Sequence, residues 1–269
     1  MKRILFPTEF SPHAPQIFQY ALAIADVYRA EIHILNALNL ELYPQNDTNT
    51  TFEEEADRTM DKLLEFKQLH QPKEMGHVPV KYITEIGFAA DVILRVAERE
   101  EMDLIVMGSQ GNTRDSGKQL GGAAGSVIGQ ANCPVLFIPP TAVYKGFQRM
   151  ACTTNFSFQD LIVFATLKNW AKKFKSKVEA LHVIEDRDQL PSIQKKLDLL
   201  KDLFENYFHF VLQAGDVTEN IEDYVAFNQP DILAMVHRQQ SFLYKLIAGD
   251  VTETIANEIT VPLLVFNEV

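Results

Sequence analysis

The chain has 269 residues, 46% of them apolar, and a formal net charge of −11. That length holds one large domain or two of ordinary size, and the acidic balance argues against a nucleic-acid backbone as the main partner. No apolar run approaches the roughly eighteen residues of a membrane span, and Cys133 and Cys152 make neither a metal spacing nor a disulfide framework, so a reducing cytoplasm is the expected location.

The opening stretch MKRILFPTEFS (1–11) reads as a strand running into a turn rather than as a signal peptide. Short apolar runs follow at 31–38, 78–84, 103–107 and 134–138, after the first at 3–8. Amphipathic stretches lie between them, at about 12–29, 52–70, 88–101 and 122–131. The polar stretch 39–55 carries turn formers and reads as a loop, with Glu53–Glu55 as the solvated first turn of the next helix. The second half runs in the same order, with strands expected at 149–154, 178–185, 207–213, 231–236 and 262–266. Strands alternating with helices imply βαβ units and a parallel sheet covered on both faces.

The two halves match residue by residue. Thr8, Phe10 and Ser11 fall on Thr154, Phe156 and Ser157 at an offset of 146. Later the offset is 128: Gly87 falls on Gly215, Asp103 on Asp231, Met107 on Met235 and Pro134 on Pro262. The second copy therefore lacks 18 residues between its second and third strands. The expected domains are 1–143 and 144–269. In a doubly wound sheet, ligands bind at the carboxyl ends of the strands beside the point where strand order reverses. Pro7-Thr8-Glu9 and Met107-Gly108 should meet there.

Half of the chain's twelve glycines fall in MGSQGNTRDSGKQLGGAAGS (107–126). Glycine is enriched where a backbone approaches a ligand or turns tightly. A Walker-type loop does not fit, because five residues separate Gly111 from Gly117 and Gln119 follows Lys118. The internal repeat chooses between the remaining arrangements. Gly121 lies 13 residues before Pro134, as Gly249 lies 13 before Pro262, so Gly125 and Ser126 belong inside the following helix. The loop then reads Gly108, two residues, Gly111, nine residues, Gly121-Gly122.

With PTEFS (7–11) and CPVLFI (133–138), this pattern resembles the universal stress protein family of the ATP-binding type. The family's loop is G-x2-G-x9-G-[ST], and its first strand ends in a P-T-D-F-S-like segment. The resemblance covers nearly the whole chain as two tandem copies. It implies two doubly wound five-stranded parallel α/β domains, Rossmann-like and similar to adenine nucleotide α-hydrolases. It also implies that the domains pack as an intrachain pseudo-dimer through 134–138 and 262–266. In the nucleotide-binding reading, backbone N–H groups of Gly108, Gly111, Gly121, Gly122 and Ala123 face phosphate oxygens. Pro7, Thr8 and Met107 flank the ligand. Glu9 meets ribose hydroxyls or a phosphate-bound Mg²⁺, and the backbone of Ala37 recognises adenine. Arg114 and Lys118 add charge.

The first copy departs from the family at two positions, with Glu9 for Asp and Gly122 for Ser or Thr. The second departs further, with Asn155 for the acid, Val236 and Gln239 for the loop glycines, and Asp250 at the Ser/Thr position. The resemblance implies a stress-response regulator binding ATP, with Mg²⁺ an option, in the first copy only. It need not be an enzyme. A scaffold of the same fold without ligand and a slow nucleotide hydrolase stay open, as do a homodimer and a protein partner of unknown identity. The histidines at 13, 33, 70, 77, 182, 209 and 237 show no metal spacing. His182 and His209 read as half-buried strand residues, Cys133 as packed, Trp170 as core or interface, and His237 beside Arg238 as a weaker ligand candidate.

Overall fold

The computed structural model describes residues 1–38, 52–110, 122–184, 188, 190–204, 207–237, 255 and 260–267. The chain divides into two compact units, 1–140 and 141–269.

Unit 1 begins with β1 (Arg3–Pro7), whose central Ile4, Leu5 and Phe6 are buried. Helix α1 (Ala14–Tyr28) follows, with proline in its first turn, where the missing N–H costs nothing. Nine of its side chains are buried, and it stops at Arg29, which takes a left-handed φ of 53°. Next come β2 (Glu31–Leu38), α2 (Phe52–His70), a 3-10 turn at Lys73–Met75, and β3 (Val80–Ile86). Helix α3 (Ala89–Arg99) buries one stripe, Val92, Ile93, Val96 and Ala97. The unit closes with β4 (Leu104–Gly108), α4 (Gly122–Val127) and the fully buried β5 (Val135–Ile138).

These strands run parallel in the order β3-β2-β1-β4-β5. Register pairs Arg3 with Glu31, Ile4 with Leu104, Ile32 with Val80 and Ile105 with Val135. Strand order reverses between β1 and β4, which opens a crevice at their carboxyl ends.

Unit 2 repeats the plan. Its elements are β6 (Arg149–Thr153), α5 (Phe158–Phe174), β7 (Lys177–Ile184), α6 (Leu190–Phe204), β8 (Phe208–Ala214), α7 (Val217–Asn228), β9 (Ile232–His237) and β10 (Leu263–Asn267). The strand order is β8-β7-β6-β9-β10. Met150 pairs with Ile232 as Ile4 pairs with Leu104. The 18-residue difference falls between the second and third strands of each unit, where α2 has 19 residues and α6 has 15. Trp170 is buried between the rings of Phe147 and Phe174, at 5.6 and 5.8 Å.

The repeat extends to details of the backbone. Phe10 and Phe156, Arg29 and Lys175, Glu101 and Gln229, and Gly87 and Gly215 are four equivalent pairs, each with positive φ in both members. Asp103 Oδ2 accepts from the backbone N–H groups of Lys2 (2.6 Å) and Arg3 (2.9 Å), and Asp231 Oδ2 accepts from Gln148 and Arg149 (2.8 Å each). Each carboxylate ties the start of the fourth strand of its unit to the start of the first.

One helix differs from its expected extent. The stretch 122–131 forms a helix only to Val127, because Gly129 turns left-handed (φ 78°) and ends it.

Candidate functional site

The segment leaving β1 is held in a fixed hook. Thr8 donates its N–H to the Leu35 carbonyl (2.8 Å), and its own carbonyl accepts from Asn36 Nδ2 (2.7 Å). Thr8 Oγ1 accepts from the Phe10 N–H (3.1 Å), while Phe10 sits at φ 57°. Backbone of this kind costs a bulky residue about 1–3 kcal/mol, so its surroundings must hold it there. Part of that hold is the Phe10 ring, which meets Phe66 edge-on, with Phe66 against Phe6 and Phe18.

This hook forms one side of a cavity of about 240 Å³ at the carboxyl ends of β1 and β4. Pro7, Thr8 and Glu9 line it from the hook, Ala37 from β2, Met107 and Gly108 from β4, and Gly122 and Ala123 from α4. The structure thus brings eight of the ten candidate residues to one cavity. Gly111 and Gly121, with Arg114 and Lys118, lie outside the described residues, as does 39–51 of the expected loop. Ser126 lies inside α4, where its hydroxyl donates to the Gly122 carbonyl (2.9 Å).

The two described glycines differ in what a side chain would meet. A Cβ on Gly108 would stand 3.0 Å from Gln110 O and 3.0 Å from Ile17 Cδ1, closer than real Cβ atoms normally come. At Gly122 no described atom lies within 4 Å of that position. A side chain at Gly108 would need Ile17 of α1 or the Gln110 backbone to give way, whereas at Gly122 no described atom stands in its way.

Sequence reading missed several wall residues. Ala14 and Ile17 of α1 and Ile93 of α3 look like ordinary core positions, and only the fold turns them toward the crevice. Asn36 is different: it is a polar residue in an apolar strand, 8% exposed, and both lines the cavity and anchors the hook. An amide inside ILNAL (34–38) was the signal for it.

In unit 2 the corresponding hook is filled from within. His182, at the place of Asn36, meets the Thr154 carbonyl through Nδ1 at 2.7 Å. A carbonyl only accepts, so that nitrogen carries the hydrogen. Asp160 stands where unit 1 has Ala14. It is 1% exposed, and its Oδ2 accepts from Thr154 Oγ1 (2.8 Å) and from the N–H groups of Asn155 (3.0 Å) and Ser157 (2.9 Å). Val236 is buried at the place of Gly108, while Gln239, Gly249 and Asp250 lie outside the described residues. His237 is buried at the end of β9, whereas His209, expected to be half-buried, is exposed because it sits on an outward-facing position of the edge strand β8.

Two carboxylates away from the cavity, Glu31 and Glu85, sit in ion-pair clusters of the scaffold. His33, Lys81 and Arg3 surround Glu31, and the hydrogen bond from His33 does most to hold that carboxyl below its usual range. Burial pushes Glu85 up, but Arg99 and Arg95 outweigh it and leave the group below the usual range. Burial raises the Cys133 thiol to about 12 and pushes Cys152 up as well. Among the described residues no group of His, Cys, Asp or Glu is arranged to hold a metal ion, and no helix is long and apolar enough to cross a membrane.

Comparison with known proteins agrees with this geometry. The model of the universal stress protein family matches residues 1–139 and 207–267. A universal stress protein of Methanocaldococcus jannaschii is 30% identical over 152 residues, covering 51% of this chain and 94% of the relative. One from Synechocystis is 27% identical over 138 residues, covering 51% and 85%. The crystal structure of a universal stress protein from Archaeoglobus fulgidus superposes with a TM-score of 0.80 at 21% identity, over 98% of both chains. The chain belongs to the universal stress protein family. Its fold is shared with that Archaeoglobus chain over 98% of both. The segment 140–206, which the family model leaves unmatched, carries β6, α5, β7 and α6 in the same order as the first elements of unit 1.

Proposed function

We propose that this chain is a stress-response regulatory protein that binds an adenine nucleotide in unit 1 only and performs no catalytic step. The observation that carries this reading is the cavity at the strand-order reversal, where Pro7, Thr8, Glu9, Ala37, Met107, Gly108, Gly122 and Ala123 converge. Gly108 supports it independently: its backbone packs so closely on Ile17 and Gln110 that a side chain would have to displace them. The hook and β2 offer the hydroxyls of Thr8 and Ser11 and the amide of Asn36 to a ribose and base. The Gly108 turn and the chain at Gly122–Ala123 offer backbone N–H groups to phosphate, and ATP with Mg²⁺ is the expected form.

Unit 2 supports the one-site reading from the other direction. Asp160 uses the donors of its hook, and Val236 replaces the close-packed glycine. Calorimetric titration of the whole chain with Mg-ATP tests the proposal. Saturable binding near one per chain, weakened at least about tenfold by Gly108→Val, is the expected result. Absence of binding up to millimolar nucleotide would transfer the reading to a ligand-free scaffold.

A further inference from the structure

Asn36 is a buried polar residue on the wall of the unit 1 cavity, 8% exposed, and its orientation is fixed. Its Nδ2 donates to the Thr8 carbonyl at 2.7 Å, while the Thr8 N–H donates to the Leu35 carbonyl at 2.8 Å. A carbonyl only accepts, so the nitrogen end of the amide is committed to the hook and Oδ1 is the other end. Unit 2 makes the same anchor with a different side chain. His182 Nδ1 meets the Thr154 carbonyl at 2.7 Å, the Thr154 N–H donates to Leu181 at 2.9 Å, and the imidazole packs on the Phe156 ring at 4.6 Å. Anchoring the hook is thus satisfied by an imidazole and does not by itself call for an amide. What the amide adds is an acceptor oxygen beside the anchoring N–H, whereas an imidazole donating through Nδ1 carries its acceptor further from the main chain. The Ser11 hydroxyl, also on the wall, rotates to suit a donor or an acceptor. An amide pinned by its nitrogen does not rotate, so it discriminates between the two.

We infer that Asn36 is the specificity-determining residue for the base, with its Oδ1 accepting from the 6-amino group of an adenine whose edge lies along Ala37. A 6-oxo purine sets its own carbonyl against that oxygen, two acceptors with no hydrogen between them, and is rejected. The inference rests on the nucleotide reading of the cavity and specifies how the site chooses its base.

The test is calorimetric titration of the full chain, in excess Mg²⁺, with three triphosphates that differ at one position of the base. They are ATP, purine riboside triphosphate, which lacks the amino group, and inosine triphosphate, which has an oxygen in its place. Wild type binds them in that order, with at least about tenfold between the first and the last. In Asn36→His, which keeps a donor to the Thr8 carbonyl as His182 does in unit 2, and in Asn36→Ser, the ratio of ATP to inosine triphosphate affinity falls at least about threefold. A residue that only anchored the hook would shift both affinities together and leave the ratio unchanged. An unchanged ratio in either variant, or wild type binding ATP and inosine triphosphate alike, overturns the inference and leaves the nucleotide reading standing. Where a variant binds too weakly to titrate, the wild-type order decides: inosine triphosphate binding as tightly as purine riboside triphosphate overturns the inference. Binding of none of the three ligands to wild type overturns both.

Discussion

Gly108 and Gly122 face the same cavity, yet a methyl group would be crowded at one and meet no described atom within 4 Å at the other. Gly108→Val, the residue unit 2 carries at Val236, should therefore distort the β4 end and weaken nucleotide binding. Gly122→Ser meets no described atom and restores a hydroxyl donor. A neutral hydrogen bond is worth about 0.5–1.5 kcal/mol net, so this change should tighten phosphate-bearing ligands by roughly two- to tenfold. Equal affinities for wild type and Gly122→Ser in calorimetry would place phosphate away from α4. In unit 2 the decisive residue is Asp160, whose buried carboxylate holds three donors. Asp160→Ala should destabilise the protein by about 2–4 kcal/mol in urea denaturation. A loss under about 0.5 kcal/mol would mean that water replaces the carboxylate freely. The two buried thiols, with pKa values raised by burial, should not react with a disulfide reagent at pH 8 until the protein unfolds.

At the scale of elements, the hooks after β1 and β6 show what is repeated and what has diverged. Both use a threonine hydroxyl to hold a left-handed phenylalanine, Thr8 with Phe10 and Thr154 with Phe156. The match of TEFS to TNFS made that equivalence legible in sequence. The left-handed backbone was not legible, because it is imposed by packing and nothing in the propensity of phenylalanine announces it. Strand positions were legible because the inner strands are buried on both faces and read as apolar runs, while the half-exposed edge strands β3 and β8 mix polar and apolar residues. The extent of α4 was not, since its end depends on a single turn at Gly129. Asp103 gives this scale its pH dependence. Burial pushes its carboxyl up, but the N–H groups of Lys2 and Arg3 outweigh that and hold it below the usual aspartate range. A lowered folded value means stability that is complete above the ordinary aspartate range and lost as pH falls through the folded value. Asp103→Asn should thus cost about 1 kcal/mol at pH 7, with the difference from wild type shrinking below about pH 4. A gap of constant size from pH 7 to pH 3 would show that the carboxylate charge plays no part.

For the molecule as a whole, two units of one topology carry unequal sites. A ligand bound only to the folded form of unit 1 stabilises it by about 2.7 kcal/mol at a hundredfold excess over its Kd. Hydrogen exchange with and without saturating nucleotide should therefore show added protection within 1–140, centred on the ends of β1, β2 and β4, and none of comparable size within 141–269. Equal protection in both units would refute the one-site reading.

The sequence by itself determined the parallel α/β class, the duplication, the two offsets and the eight candidate residues that the fold places at one cavity. Those features are periodic or local, and periodicity and glycine spacing are visible in one dimension. Only the tertiary structure decided that Ala14, Ile17, Asn36 and Ile93 share the cavity with them, that a side chain at Gly108 would crowd Ile17 and Gln110 while one at Gly122 meets no described atom, and that Asp160 fills the hook of unit 2. Each of these depends on which helix face and which strand end meet across the sheet, and residues far apart in the chain become neighbours only through that packing.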